Sequence, residues 1–167
     1  MLSPNITTME RDALFVQMAV SAWNTYIERM NKFLDSITDE QFETEVAPDR
    51  NRVSYLVGHL VAIHDRLFEL LAIGERSHTA LYEPYVIKPD GEAADLPDAP
   101  ALRQYWKDVH ENLSRKFSEM TVDDWFSRHM DIAEEDFAKE PMRNRLNVLI
   151  NRTNHMAYHY GQLRLVK

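Results

Sequence analysis

Four stretches of the chain place an apolar residue at every third or fourth position, and no stretch alternates apolar with polar residues. That period is the period of a helix with one buried face, so this chain can fold only by packing helix on helix. The spacing predicts an all-α four-helix bundle with helices near 8–36, 51–74, 101–120 and 142–166. The first stripe runs Phe15, Ala19, Ala22, Trp23, Tyr26, Met30, Phe33 and Ile37, behind a cap at Thr7 or Thr8. Its aromatic residues read as core, because large side chains dominate core burial. The second runs Leu56, Leu60, Ile63, Leu67, Leu70 and Leu71 and stops at Gly74, with Ser54, Gly58, Asp65 and Glu69 on the side expected to be wet. The third runs Leu102, Trp106, Val109, Leu113, Phe117 and Met120, and the fourth Leu146, Leu149, Ile150, Thr153, Ala157 and Tyr160.

The connections differ in kind. After the first helix, Thr38 and Gln41 have capping-box spacing and suggest a short extra helix. Met120-Thr121-Val122-Asp123-Asp124-Trp125 repeats the plan of Ile37-Thr38-Asp39-Glu40-Gln41-Phe42, so the chain reads as two helical hairpins of similar design. Between helices 2 and 3, Glu75 to Pro100 carries four prolines and a Lys88-Pro89-Asp90-Gly91 turn. About 26 irregular residues can span the roughly 33 Å of helix 2, so this is a long crossover and helix 3 can run parallel to helix 2. The 127–141 connection carries His129, Asp131, Glu134, Glu135 and Asp136, which read as solvated charges; Asp131 is kept as a candidate reaching into a cleft.

Length and charge narrow the partners. At 167 residues with 44% hydrophobic content, one domain over 1–167 is expected. A formal charge of −8, from 27 acidic and 19 basic residues, argues against a nucleic-acid partner. Met1-Leu2-Ser3-Pro4-Asn5 shows no charged leader before an apolar run, and no window approaches a membrane span, so a cytoplasmic protein without a membrane partner is expected. With no cysteine, any metal must be held by nitrogen and oxygen.

The fourth helix carries Asn154-His155-Met156-Ala157-Tyr158-His159-Tyr160-Gly161-Gln162-Leu163. Positions i and i+4 share a helix face, so His155 and His159 can aim two imidazole nitrogens at one point. They lie well away from that helix's main stripe, on a line with Val148 and Val166. Only the side of Asn147, Asn154 and Tyr158 looks wet, so the helix is expected to be buried on more than one face, as in a homodimer. Helical histidine pairs also occur on solvated helices, but two buried ones need partners for four ring nitrogens, and a shared metal supplies them economically. On helix 2, His59 and His64 lie about 140° apart and cannot easily serve one metal; geometry alone does not choose between them. His110, beside the third stripe, reads as hydrogen-bonded or solvated.

The phrase Val57-Gly58-His59-Leu60, followed by His155-x-x-x-His159-x-Gly161-Gln162-Leu163, resembles the DinB/YfiT-like superfamily across the whole chain. The resemblance implies an up-down-down-up four-helix bundle, often dimeric, with a metal held by His59, His155 and His159. His64 then becomes the bystander. It further implies a thiol-dependent transferase or isomerase, using a low-molecular-weight thiol such as bacillithiol, mycothiol or glutathione.

Three histidines and a divalent ion, zinc or alternatively nickel or iron, leave a position open for water, thiol or a small-molecule substrate. There the ion can lower the pKa of what it binds and produce a nucleophile near neutral pH. Arg66, two turns from His59 on the same edge, can hold a carboxylate of the thiol or substrate, or else pair at the surface. No residue of the chain is singled out as the catalytic acid or base. A metal-dependent hydrolase and a non-catalytic metal-stabilised bundle or dimer module are the alternatives.

Overall fold

The computed structural model describes residues 7–166, and among them there is no strand, only two isolated bridges, Glu45 with Arg52 and Arg128 with Asn144. The residues Met1-Leu2-Ser3-Pro4-Asn5 lie outside the described residues. The chain is all-helical. It forms α1 (Thr8–Ser36), α2 (Asp39–Phe42), α3 (Val53–Asp65), α4 (Leu67–Leu70), α5 (Ala99–Glu119), α6 (Val122–Phe126), α7 (Glu134–Lys139) and α8 (Arg145–Leu163). The four expected helices are all present, the second as α3 and α4 joined through Arg66. Thr7 caps α1, and the echoing junctions are two short helices, α2 and α6, each with a complete capping box, on Thr38 and Thr121, and each burying one aromatic residue, Phe42 and Trp125.

The centre of the fold is α3, which packs against α5 and α8 and is covered by the crossover; α1 lies on α8 and α6. Of its 13 residues only Tyr55 and His59 escape full burial. The face expected to be wet is therefore dry at Ser54, Gly58 and Asp65; Glu69 alone is exposed. The cause is the crossover, which forms a 3-10 turn at Thr79–Leu81 and a π turn at Glu83–Ile87 and lies down on α3. The buried Asp65 carboxylate accepts the backbone N–H groups of Ser77 (2.9 Å) and His78 (3.0 Å) and sits 3.5 Å from the Arg76 guanidinium. A carboxylate so placed satisfies loop donors that would otherwise be buried unpaired.

Gly58 is the point of closest approach. A Cβ added there would stand 2.4 Å from Cε1 of the fully buried Tyr85 ring, so only glycine lets the crossover seat on the helix. We expect Gly58→Ala to lower unfolding stability by about 1–3 kcal/mol, the usual cost of overpacking a core, read from the urea midpoint. An unchanged midpoint would mean that Tyr85 moves aside freely.

Two further expectations are corrected. Helix 2 was expected to stop on Gly74, but the left-handed residue of the stop is Ala72 (φ 52), with Ile73 N–H donating to Phe68 O (2.9 Å) and Ala72 N–H to Glu69 O (3.0 Å). The first stripe buries only from Trp23 onward, and Phe15 is 49% exposed. With 29 residues α1 is about 44 Å long, against about 29 Å for the 19 residues of α8, so one end of it overhangs. Periodicity marks an apolar face but not how far the neighbouring helix reaches.

Candidate metal centre

α8 starts at Asn144, whose side chain accepts the N–H of Asn147, and runs without interruption to Leu163. Leu146, Leu149, Thr153, Met156 and Leu163 are its buried residues, which leaves His155 and His159 on a half-buried flank facing α3. From α3, His59 projects toward the same point. His155 Nε2 lies 3.0 Å from His159 Nε2 and 3.2 Å from His59 Nε2, and the three ligand atoms all fall within 4.8 Å of one another.

The outer nitrogens explain why the inner ones converge. His59 Nδ1–H donates to the Tyr85 carbonyl (2.8 Å) and His159 Nδ1–H to Gln162 Oε1 (2.7 Å). Each bond fixes the tautomer that leaves Nε2 as a bare lone pair. Two lone pairs and a third imidazole nitrogen then meet at about 3 Å, and a single N–H on His155 cannot serve both. A cation between them resolves the conflict. Ligand bonds of about 2.0–2.1 Å in tetrahedral geometry separate nitrogens by about 3.3 Å, close to the 3.0 Å and 3.2 Å that separate His155 Nε2 from those of His159 and His59. A proton is a poor substitute, because burial lowers the pKa of all three rings; His155, next to His159 and His59 as well, is pushed down to about 4. Tyr55, one turn before His59, lies parallel to its ring and donates its hydroxyl to Lys88 O (2.8 Å), tying this side of α3 to the crossover.

Residues 22–163 match the profile of the DinB superfamily. The chain belongs to that superfamily. No curated protein matches this DinB chain. In it the histidine elements of α3 and α8 form a triad able to hold a metal ion. His64 is elsewhere: it is fully buried, with Nδ1 2.8 Å from His110 Nε2, and His110 Nδ1–H donates to Trp106 O (2.6 Å). The two rings pack around Trp23 and Trp106. His129 accepts the backbone N–H of Asp131 (3.2 Å), and the exposed Asp131 carboxylate accepts from Arg66 Nη2 (2.6 Å). Arg66 is thus held at the surface by Asp131, in the 127–141 connection.

Three contributors escaped sequence reasoning. Gln162 was legible as a helical neighbour three residues after His159, but its role as the orienting acceptor was not assigned. The Tyr85 carbonyl had no sequence signal, because it comes from the crossover. Arg152, three residues before His155 and so on its side of the helix, could have been found from the same periodicity.

Proposed function

We propose that this DinB-superfamily protein is a metal-dependent enzyme that holds one divalent ion, zinc or alternatively nickel or iron, between His59, His155 and His159. It uses the ion to activate a low-molecular-weight thiol, or water, for transfer to a small electrophilic substrate. The observation that carries the reading is the meeting of three Nε2 atoms, two of which, on His59 and His159, are turned to the common point as lone pairs by the Tyr85 carbonyl and Gln162. An ion bound there acts as a Lewis acid that lowers the pKa of water or thiol at its open position. The residues do the rest: Tyr85 and Gln162 hold the rings in register, and Tyr55 with the crossover narrows access. A chain without cysteine draws its thiol from solution.

The same reading includes a single domain over 1–167, an up-down-down-up arrangement of α1, α3 with α4, α5 and α8, a cytoplasmic setting where such thiols stay reduced, and a homodimer. The dimer is supported by Met9, Leu14, Phe15 and Met18, which stand exposed on the overhanging end of α1. Light scattering at tens of micromolar should give twice the monomer mass; a monomer removes the dimer from the reading. The test of the function is elemental analysis of protein purified without a nickel column, then a conjugation screen of cellular thiols against electrophiles. Stoichiometric metal with metal-dependent conjugation is expected. Metal that exchanges slowly, with no conjugation or hydrolysis, would instead make the ion a structural tie between α3 and α8.

A further inference from the structure

The arginines of this protein are, as a rule, matched. Arg52 holds Asp90 (2.6 Å), Arg66 holds Asp131 (2.6 Å), and Arg103 pairs with Asp39 and two backbone carbonyls; Arg76, whose Nε and Nη2 make no hydrogen bond, still has the Asp65 carboxylate 3.5 Å away as its counter-ion. Arg152 is the exception beside the triad. Its half-buried side chain makes no hydrogen bond or ion pair with any described residue, and its Nε is enclosed without a partner. It sits on α8 one turn before His155, and its charge bears on His59, His155 and His64. Its other charged or titratable neighbours are Arg66, Tyr82 and Asp131; Asp131 is already engaged by Arg66, and burial followed by Arg66 makes the Arg152 cation less favourable.

Drawing a guanidinium partly out of water without a counter-ion is unfavourable, and an anion arriving beside it would relieve that cost. The triad adds no negative charge: its three ligands are neutral imidazoles, and an ion between them puts a second cation next to Arg152. The local charge therefore favours an anion lying between the open metal position and Arg152. A guanidinium offers paired parallel N–H donors that match a carboxylate.

We propose that Arg152 is the anion-binding residue of this centre and takes the carboxylate of a small molecule whose other end reaches the metal. Carboxylate-bearing molecules are then the substrate class, and Arg66, neutralised by Asp131, contributes less. The inference rests on the metal reading above, and its test separates the two.

Cobalt uptake by the parent protein, measured before any ligand is added, tests the metal alone. Mercaptoacetate and 2-mercaptoethanol are then titrated against the visible absorption of the cobalt-loaded parent, Arg152→Met, Arg152→Lys and Arg66→Met. The parent should bind mercaptoacetate at least tenfold more tightly than 2-mercaptoethanol. Arg152→Met should lose that preference while keeping its cobalt and its affinity for 2-mercaptoethanol; Arg152→Lys should recover part of it, and Arg66→Met should keep most of it. Equal preference in parent and Arg152→Met, or loss in Arg66→Met alone, overturns the assignment. If the parent shows no preference between the thiols, succinate is added to the 2-mercaptoethanol complex. Binding that needs Arg152 places the carboxylate on the second substrate and supports the assignment; no such binding overturns it. Should cobalt fail to bind the parent, the metal reading falls, and succinate is titrated calorimetrically into metal-free protein. Heat that disappears in Arg152→Met supports the anion site, and its absence, or its persistence in the variant, overturns it.

Discussion

Alanine at His59, His155 or His159 should abolish stoichiometric binding of a divalent ion. Each change removes one of three converging nitrogens and leaves two, which no longer enclose the ion. Partners that only orient a ligand are worth about 10–100-fold in affinity, so losing a ligand should cost more than about 100-fold. Gln162→Leu, which frees the His159 ring but keeps its nitrogen, should fall inside the smaller range. His64→Ala, His110→Ala and His129→Ala should keep the metal, because none of these rings reaches the triad. The measurement is metal per folded protein by elemental analysis after gel filtration, since His64→Ala opens a cavity in the core and some of it will be lost to unfolding. Metal lost from folded His64→Ala but kept in His59→Ala would show the ligand assignment on α3 to be wrong. Retention in all three triad variants would leave the convergence of nitrogens to hydrogen bonding alone.

The second large effect is on stability in acid. His110 donates Nδ1–H to Trp106 O and accepts from His64 Nδ1–H, so both buried rings are neutral in the fold. Burial holds the pKa of His110 down at about 4 and that of His64 well below its usual 6.5, with the facing His110, Arg152, His155 and His59 charges pushing His64 the same way. In the unfolded chain both titrate near 6.5. Above that pH neither state takes up a proton and stability is flat. As pH falls below it the unfolded chain gains protons that the fold refuses, so stability drops until His110 itself titrates. A pKa moved from 6.5 to about 4 corresponds to roughly 3 kcal/mol at about 1.4 kcal/mol per unit, for His110 alone. The urea midpoint of metal-free protein should therefore fall steeply between about pH 7.5 and about pH 4.5. The fall should shrink in His64→Leu/His110→Phe, which removes both partners together and keeps all three rings of the triad. An equal fall in parent and double variant would place the acid sensitivity elsewhere.

These two arrays of histidine show where sequence sufficed and where it did not. The pairing of His155 with His159 was readable because four residues of helix fix it locally. The choice of His59 over His64 was not, since geometry on one helix left both open; the family phrase chose, and in the fold His59 lies beside the α8 pair with a bond to a carbonyl 26 residues away, while His64 bonds to a ring 46 residues away. Apolar spacing located the four principal helices, but it assigned Gly58 and Asp65 to solvent because it could not anticipate a crossover lying on them. Arg152 escaped notice for the opposite reason. What sets it apart is that no described residue pairs with it, which appears only when the neighbouring charges have been placed.

The Tyr85 carbonyl sets an order of events. It fixes the His59 ring only after the crossover has settled on Gly58, and His59 meets His155 only after a separation of 96 residues has closed. Local helix forms early and distant contacts late, so the histidine triad should be among the last features to assemble during folding. Stopped-flow refolding should then show cobalt colour trailing recovery of the helical signal. In a cell, newly made chain would compete for scarce metal only once it had become finished protein.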